Sequence, residues 1–210
     1  ERYLAEFTGR YDGSYKFAGM RDTRWGFFPS ASVAWNLAKE PWMQRVSGLD
    51  DFKIRGSVAL LGNDSIGAYM FLNTYSKYYQ QIIYGNTSGG TIVTPGYADS
   101  GLANPDLTWE KNENWNIGLD ATVFDRYTVA FEYFERKTSD LLLDAKIPST
   151  TGFTSTLTNI GAMKNRGIEF SINVDILKEE DWDLSVGFNW STLDNEVLAL
   201  STPGETQVSR

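Results

Sequence analysis

The feature that most constrains this chain is an alternation with a period of two residues. In seven segments, apolar side chains fall at every second position, and the positions between carry charges, amides and hydroxyls. That is the period of a β-strand, whose successive side chains leave opposite faces; a helix repeats every ~3.6 residues. In the first segment Tyr3, Ala5, Phe7, Gly9 and Tyr11 alternate with Leu4, Glu6, Thr8, Arg10 and Asp12. The second aligns Phe27, Pro29, Ala31, Val33, Trp35 and Leu37, and the third Phe52, Ile54, Gly56, Val58 and Leu60. The fourth aligns Trp115, Ile117, Leu119, Ala121 and Val123, and the fifth Tyr127, Val129, Phe131 and Tyr133. Ile168, Phe170, Ile172, Val174 and Ile176 form the sixth, and Trp182, Leu184, Val186, Phe188 and Trp190 the seventh.

Two all-β architectures use such strands. A soluble β-sandwich turns all the apolar faces into one core; a transmembrane barrel turns them outward to lipid. Two features favour the barrel. The polar faces carry charges and amides in number, as a wet lumen would. Aromatics also stand at the ends of the apolar faces: Tyr3, Trp35, Phe52, Tyr127 and Trp182 at one end, and Tyr11, Phe27, Trp115, Tyr133 and Trp190 at the other. Rings with polar tips suit the headgroup zone.

The connections point the same way. Phe124-Asp125-Arg126 and the charged stretch from Leu177 to Asp181 are short, whereas residues 62–108 and 142–163 make long connections, read as loops. Short turns at one end and long loops at the other match a bacterial outer-membrane barrel. The connection from Ala38 to Asp50 is longer, and a helical turn starting at Pro41 is expected within it. The first and seventh strands would both run upward, so closing these seven on themselves would pair two parallel neighbours. Bacterial single-chain barrels are antiparallel with even strand numbers. Residues 1–210 therefore read as a partial barrel domain, an antiparallel up-and-down fragment of a larger barrel whose edges need further strands.

Composition narrows the chemistry. The 210 residues contain no His and no Cys, which excludes thiol and imidazole catalysis and Cys- or His-based metal sites; no cofactor is expected. A net charge of −8 argues against nucleic acid, which requires a basic face. No apolar run is long enough for a membrane-spanning helix, and no secretory leader is visible. A strand crosses with only about 9–11 residues, half of them polar, so a modest hydrophobic total suits a barrel.

Several stretches resemble the SusC/RagA-type TonB-linked outer-membrane transporters of the Bacteroidetes. They are RYLAEFTGRYDGSY at 2–15, RWGFFPSASVAWNL at 24–37 with Glu40-Pro41, FKIRGSVALLGN at 52–63, NPDLTWEKNENWNIGLD at 104–120, YTVAFEYFERKTSDLLL at 127–143 and NIGAMKNRGIE at 159–169. The resemblance covers nearly the whole chain except about 64–103. It implies a barrel of about 22 strands, of which this is part of the C-terminal half, in the outer membrane. It also implies a plug domain pulled by TonB, a SusD-like lipoprotein cap, and uptake of large nutrients, oligosaccharides or peptides. The alternative is a soluble β-sandwich carbohydrate-binding module.

The candidate contacts with substrate or cap are loop aromatics: Tyr69, Phe71, Tyr75, Tyr78, Tyr79 and Tyr84, with Tyr97 nearby. They could form an exposed platform, or fold the loop on itself. Glu6, Arg10, Lys53, Arg55, Glu132, Arg136 and Glu169 fall on the inward parity, where pairing across strands is the expected role. Asp50-Asp51 and Glu179-Glu180-Asp181 read as solvated turn charges, and Gly85 to Gly96 as a loop tip without the Lys-Ser/Thr of a phosphate loop. No nucleophile–base pair or metal cluster is present, so an enzyme is not expected.

Overall fold

The computed structural model describes residues 1–17, 23–85, 91–179 and 182–200, with the backbone alone at 78–85 and 91–96. Among the described residues eleven strands follow in chain order: β1 Tyr3–Gly13, β2 Trp25–Asn36, β3 Leu49–Asn63, β4 Tyr75–Gly85, β5 Thr91–Asp99, β6 Glu110–Val123, β7 Tyr127–Ser139, β8 Leu142–Lys146, β9 Ser155–Asn159, β10 Ala162–Lys178 and β11 Asp183–Ala199. Seven form one antiparallel sheet in the order β1-β2-β3-β6-β7-β10-β11, and these are the seven strands expected from the alternation. The two long connections are not plain loops. Each folds into its own hairpin, β4–β5 and β8–β9.

Register decides where the apolar side chains go, because directly opposed residues share a face. Trp35 lies opposite both Tyr3 and Ile54, Ile54 opposite Leu119, Leu119 opposite Phe131, Phe131 opposite Phe170, and Phe170 opposite Trp190. On one side Phe52, Ala121, Val129, Ile172 and Phe188 fall in line, and on the other Ala5, Val33, Gly56, Ile117, Tyr133 and Ile168 lead to Thr192, so the apolar faces merge into one. That face is bare: Phe7 is 79% and Phe188 57% exposed. A sandwich would have buried these side chains in a common core, and the sandwich alternative falls on this observation.

The same row shows the stagger of the strands. It begins at Tyr3, the first residue of β1, and reaches Trp190, well inside β11, which starts at Asp183; staggered register of this kind goes with tilted barrel strands. The sheet does not close: β1 and β11 are both edges.

Aromatic pairs sit near the margins of the apolar band. Tyr3 stacks on Trp35 with centroids 6.0 Å apart, Tyr11 on Trp25 at 5.2 Å, and Trp115 meets Tyr133 at 5.3 Å. Beyond Trp115 and Tyr133 the strands continue, and their outward parity turns charged. There Arg166 bridges Asp194 at 2.8 Å and Lys164 approaches Glu135 at 3.8 Å.

At the long-loop end a small core of Phe17, Phe28, Leu107 and Trp109 is buried, with Leu60, Ile66, Leu142 and Leu157 packed on it. The β2–β3 ladder ends at Ser30–Ala59; beyond it Phe28 stays paired with Arg10 of β1 and Leu60 with Glu113 of β6, and the two side chains meet in this core. There the expected alternation breaks: Leu60 packs on the core while Leu61 is exposed. The loops around the core are pinned by side chains. Trp109 Nε1 donates to the Arg24 carbonyl at 3.1 Å, and Asn159 Nδ2 to the carbonyls of Thr108 and Asp140 at 2.8 and 2.9 Å. Asn159 Oδ1 accepts the Thr108 N–H at 2.9 Å.

At the short-turn end, β6 and β7 join through Phe124 and Asp125, whose φ values of 55° and 50° make a type I′ turn suited to twisted strands. The connection after β2 carries the expected turn and one before it. A 3-10 turn covers Leu37–Lys39, and Pro41 then opens a helical turn in which the N–H groups of Met43 and Gln44 both reach the Glu40 carbonyl. Glu40 is buried, and its carboxylate accepts from Tyr3 Oη at 2.9 Å and Trp35 Nε1 at 3.0 Å. Asp50 and Asp51 are also engaged rather than simply solvated: Asp51 accepts from Asn36 Nδ2 at 2.9 Å and Asp50 from the Asp125 N–H.

Two predictions follow from these anchors in the full-length barrel. Leu107 is 1% exposed, so Leu107→Ala removes a filled core position. Hydrogen exchange should show the 104–110 and 155–161 segments destabilised by about 2–5 kcal/mol, with the sheet unchanged. The hydrogen bonds from Trp35 and then Tyr3 hold the Glu40 carboxyl below its ordinary pKa. The folded state therefore releases this proton more readily than the unfolded chain, and protonation favours unfolding. Glu40 contributes fully at neutral pH, and its contribution disappears as pH falls through and below the ordinary glutamate range. Unfolding midpoints of the parent protein and Glu40→Gln should differ at neutral pH and converge in acid.

Candidate functional site: the inner face and the long-loop hairpin

The inner face is built by the positions left between the apolar ones. At mid-height it carries an ion network. Lys53 and Arg55 on β3 meet Asp120 on β6 at 3.2 and 3.1 Å, and Arg55 Nη1 reaches Glu132 on β7 at 2.6 Å. Arg55 reaches that far because Gly118 stands between them in the register. A Cβ at Gly118 would lie 2.8 Å from the guanidinium carbon. Glu169 lies directly across from Glu132 and adds a second carboxylate to the row. Arg10 pairs with Asp12 along its own strand, and Arg136 donates through Nε to Asn114 Oδ1 at 3.0 Å. The pairing expected of the inward charges thus links β3, β6 and β7.

Above this network the inner face changes character. Asn112, Asn114 and Asn116 follow one another at period two on β6, with Asn165 on β10 and Asn195 on β11. Between them stand Phe134 and Leu193. This amide-rich band was not among the sequence-derived candidates, although the repeat in Asn112-Glu113-Asn114-Trp115-Asn116 is a visible signal for it.

The candidate aromatics lie at the long-loop end. Tyr69 is exposed with φ at 66°, and Phe71 is half-buried. Tyr75 on β4 and Tyr97 on β5 are 67% and 70% exposed. Tyr75 pairs with Asp99 and Tyr97 with Lys77, so the four share one face of the hairpin. Tyr78, Tyr79 and Tyr84 belong to β4, but their side chains lie outside the described residues, as do residues 86–90 of the Gly-rich tip and Glu180-Asp181. The hairpin base is tied down by Ser100 N–H to the Thr74 carbonyl at 2.8 Å and by Asn104 N–H to the Met70 carbonyl at 3.3 Å. Asn104 Nδ2 in turn reaches the Leu157 carbonyl at 2.9 Å, joining both long connections. Among the described residues no group of His, Cys, Asp or Glu could hold a metal ion.

The curated relatives that this chain matches in sequence are TonB-dependent receptors. The family described as "TonB dependent receptor-like, beta-barrel" matches residues 1–209. The chain is 38% identical over 207 residues to the TonB-dependent receptor SusC of Bacteroides thetaiotaomicron, covering 95% of this chain and 20% of SusC. It is 34% identical over 200 residues to TonB-dependent receptor P3 of Formosa agariphila, covering 95% and 19%. Among solved structures, the RagAB peptide importer in its closed-closed state superimposes with a TM-score of 0.79 at 28% identity, over 95% of this chain and 21% of that one. The chain thus spans about a fifth of the length of these relatives. A single open sheet with its apolar face outward is what such a share of a barrel wall requires, and the chain belongs to the TonB dependent receptor-like β-barrel family, as part of an outer-membrane barrel.

Proposed function

We propose that the whole protein is an active importer of large nutrients, oligosaccharides or peptides, across the outer membrane. A SusD-like lipoprotein caps it, and TonB drives it through a plug domain outside residues 1–210. The supporting observation is the continuous outward apolar face over seven staggered strands, backed by an inner face of paired charges and amides. Such a wall separates lipid from a wet passage wide enough for a large solute. SusC and the RagAB peptide importer are relatives on this scale. In this reading the extracellular hairpin presents Tyr69, Phe71, Tyr75, Tyr78, Tyr79 and Tyr84 to the substrate or to the cap.

Uptake should cease when TonB is deleted, and the full-length protein should require detergent and migrate differently before and after boiling. Solubility without detergent and identical migration would sink the barrel reading; uptake unaffected by loss of TonB would sink the transport mechanism. Tyr75→Ala combined with Tyr97→Ala should weaken capture of the cap or substrate by about fivefold or more, measured by co-purification and uptake. Unchanged values would remove the hairpin from the contact surface.

A further inference from the structure

On the reading that the lumen carries the nutrient, we propose that Phe134 is a sugar-stacking platform on the barrel wall, set among amide and guanidinium donors. It would take a neutral pyranose ring of an oligosaccharide. Phe134 is an aromatic on the inner parity of β7, where the neighbouring inward residues are Glu132 and Arg136. It stands directly across from Gly167 of β10 and lies against it: a Cβ at Gly167 would sit 2.8 Å from the Phe134 ring. Gly167 has no Cβ, and the half-buried Phe134 ring takes the space where one would stand while also lining the hollow in front of the sheet.

The groups around the ring are poised to donate. Arg136 Nε donates to Asn114 Oδ1 at 3.0 Å; since a guanidinium only donates, this orients the Asn114 amide with its NH2 group free. Asn116 Oδ1 accepts from Ser57 Oγ at 3.1 Å, and Asn165 Oδ1 accepts from Asn195 Nδ2, so the oxygens are engaged there too. Three amide NH2 groups and the terminal guanidinium nitrogens remain for a ligand's oxygen atoms. Carboxylates that could accept hydroxyl protons, Glu132 and Glu169, form the lower border.

The hollow in front of these residues measures about 560 Å³, within the size range of small-molecule sites. Sugars present both faces of this chemistry at once: C–H groups for the negative face of an aromatic ring, and hydroxyls that accept and donate around the rim. Arg136 is set against Glu132 and Glu169 in the lining, so there is no cationic surplus to hold an acidic sugar.

The test uses the full-length protein in detergent, with heat-modifiable migration confirming an intact barrel for each variant. Isothermal titration is performed with cellohexaose, laminarihexaose, mannohexaose, hexagalacturonate and an uncharged octapeptide. At least one neutral hexasaccharide should bind the parent protein. Phe134→Ala should weaken that binding about tenfold, and Phe134→Trp should retain it. Failure of all three neutral hexasaccharides to bind, binding of the peptide or hexagalacturonate alone, or equal affinity in Phe134→Ala would overturn the proposal. The importer reading stands or falls separately, on TonB-dependent uptake.

Discussion

A strand in contact with hydrocarbon must pair every backbone N–H and C=O with a neighbouring strand, because lipid offers no substitute. The rest of this structure depends on that requirement. It fixes lateral pairing as the organising contact, and it makes the outward face a single apolar surface rather than seven separate ones. It also explains why the sheet is incomplete on its own terms. β1 and β11 end with unpaired edges, which in a membrane only further strands of the barrel can satisfy. Shear follows from the same pairing: the row from Tyr3 to Trp190 runs from the start of β1 to well inside β11, a staggered register of the kind that closure of a barrel demands.

Where the strands leave the hydrocarbon, polar side chains hold the connections. Glu40 ties Tyr3 and Trp35 to the short-turn end. Asn159 performs a similar task at the other end, bonding the carbonyls of both Thr108 and Asp140. These bonds act on two or three backbone segments at once, and the buried Leu107 and Trp109 beneath them exclude water. Both hairpins are thereby fastened to the end of the sheet, with Tyr75 and Tyr97 exposed.

The inner face obeys a different logic, since water reaches it and charge is tolerated. The Lys53, Arg55, Asp120 and Glu132 network spans three strands and locks their register from inside. Above it the asparagines of β6 use their carbonyl oxygens on neighbours and leave their amide hydrogens toward the lumen. The inner face is thus tied to the sheet by its charges and by its amide oxygens.

The alternation by itself determined the strand type, the identity of the seven wall strands and the partition of side chains into two faces, because a pleated backbone admits only one period. It also limited the chemistry, since a chain without His or Cys has neither group to offer. Periodicity did not determine which way the apolar face points; sandwich and barrel share one pattern, and the single sheet with Phe7 and Phe188 exposed separated them. The hairpins in the long connections were also illegible: β8 and β9 are five residues each, and β4, Tyr75–Gly85, lacks the period-two apolar alternation. Leu60 was read as part of the apolar wall, but it packs on the loop-end core, at a height where the β2–β3 ladder has already ended. The inner core, the Glu40 clamp and the setting of Phe134 against Gly167 join residues tens of positions apart or more, or two strands across a sheet. Contacts of that kind arise only from register, which no local pattern encodes.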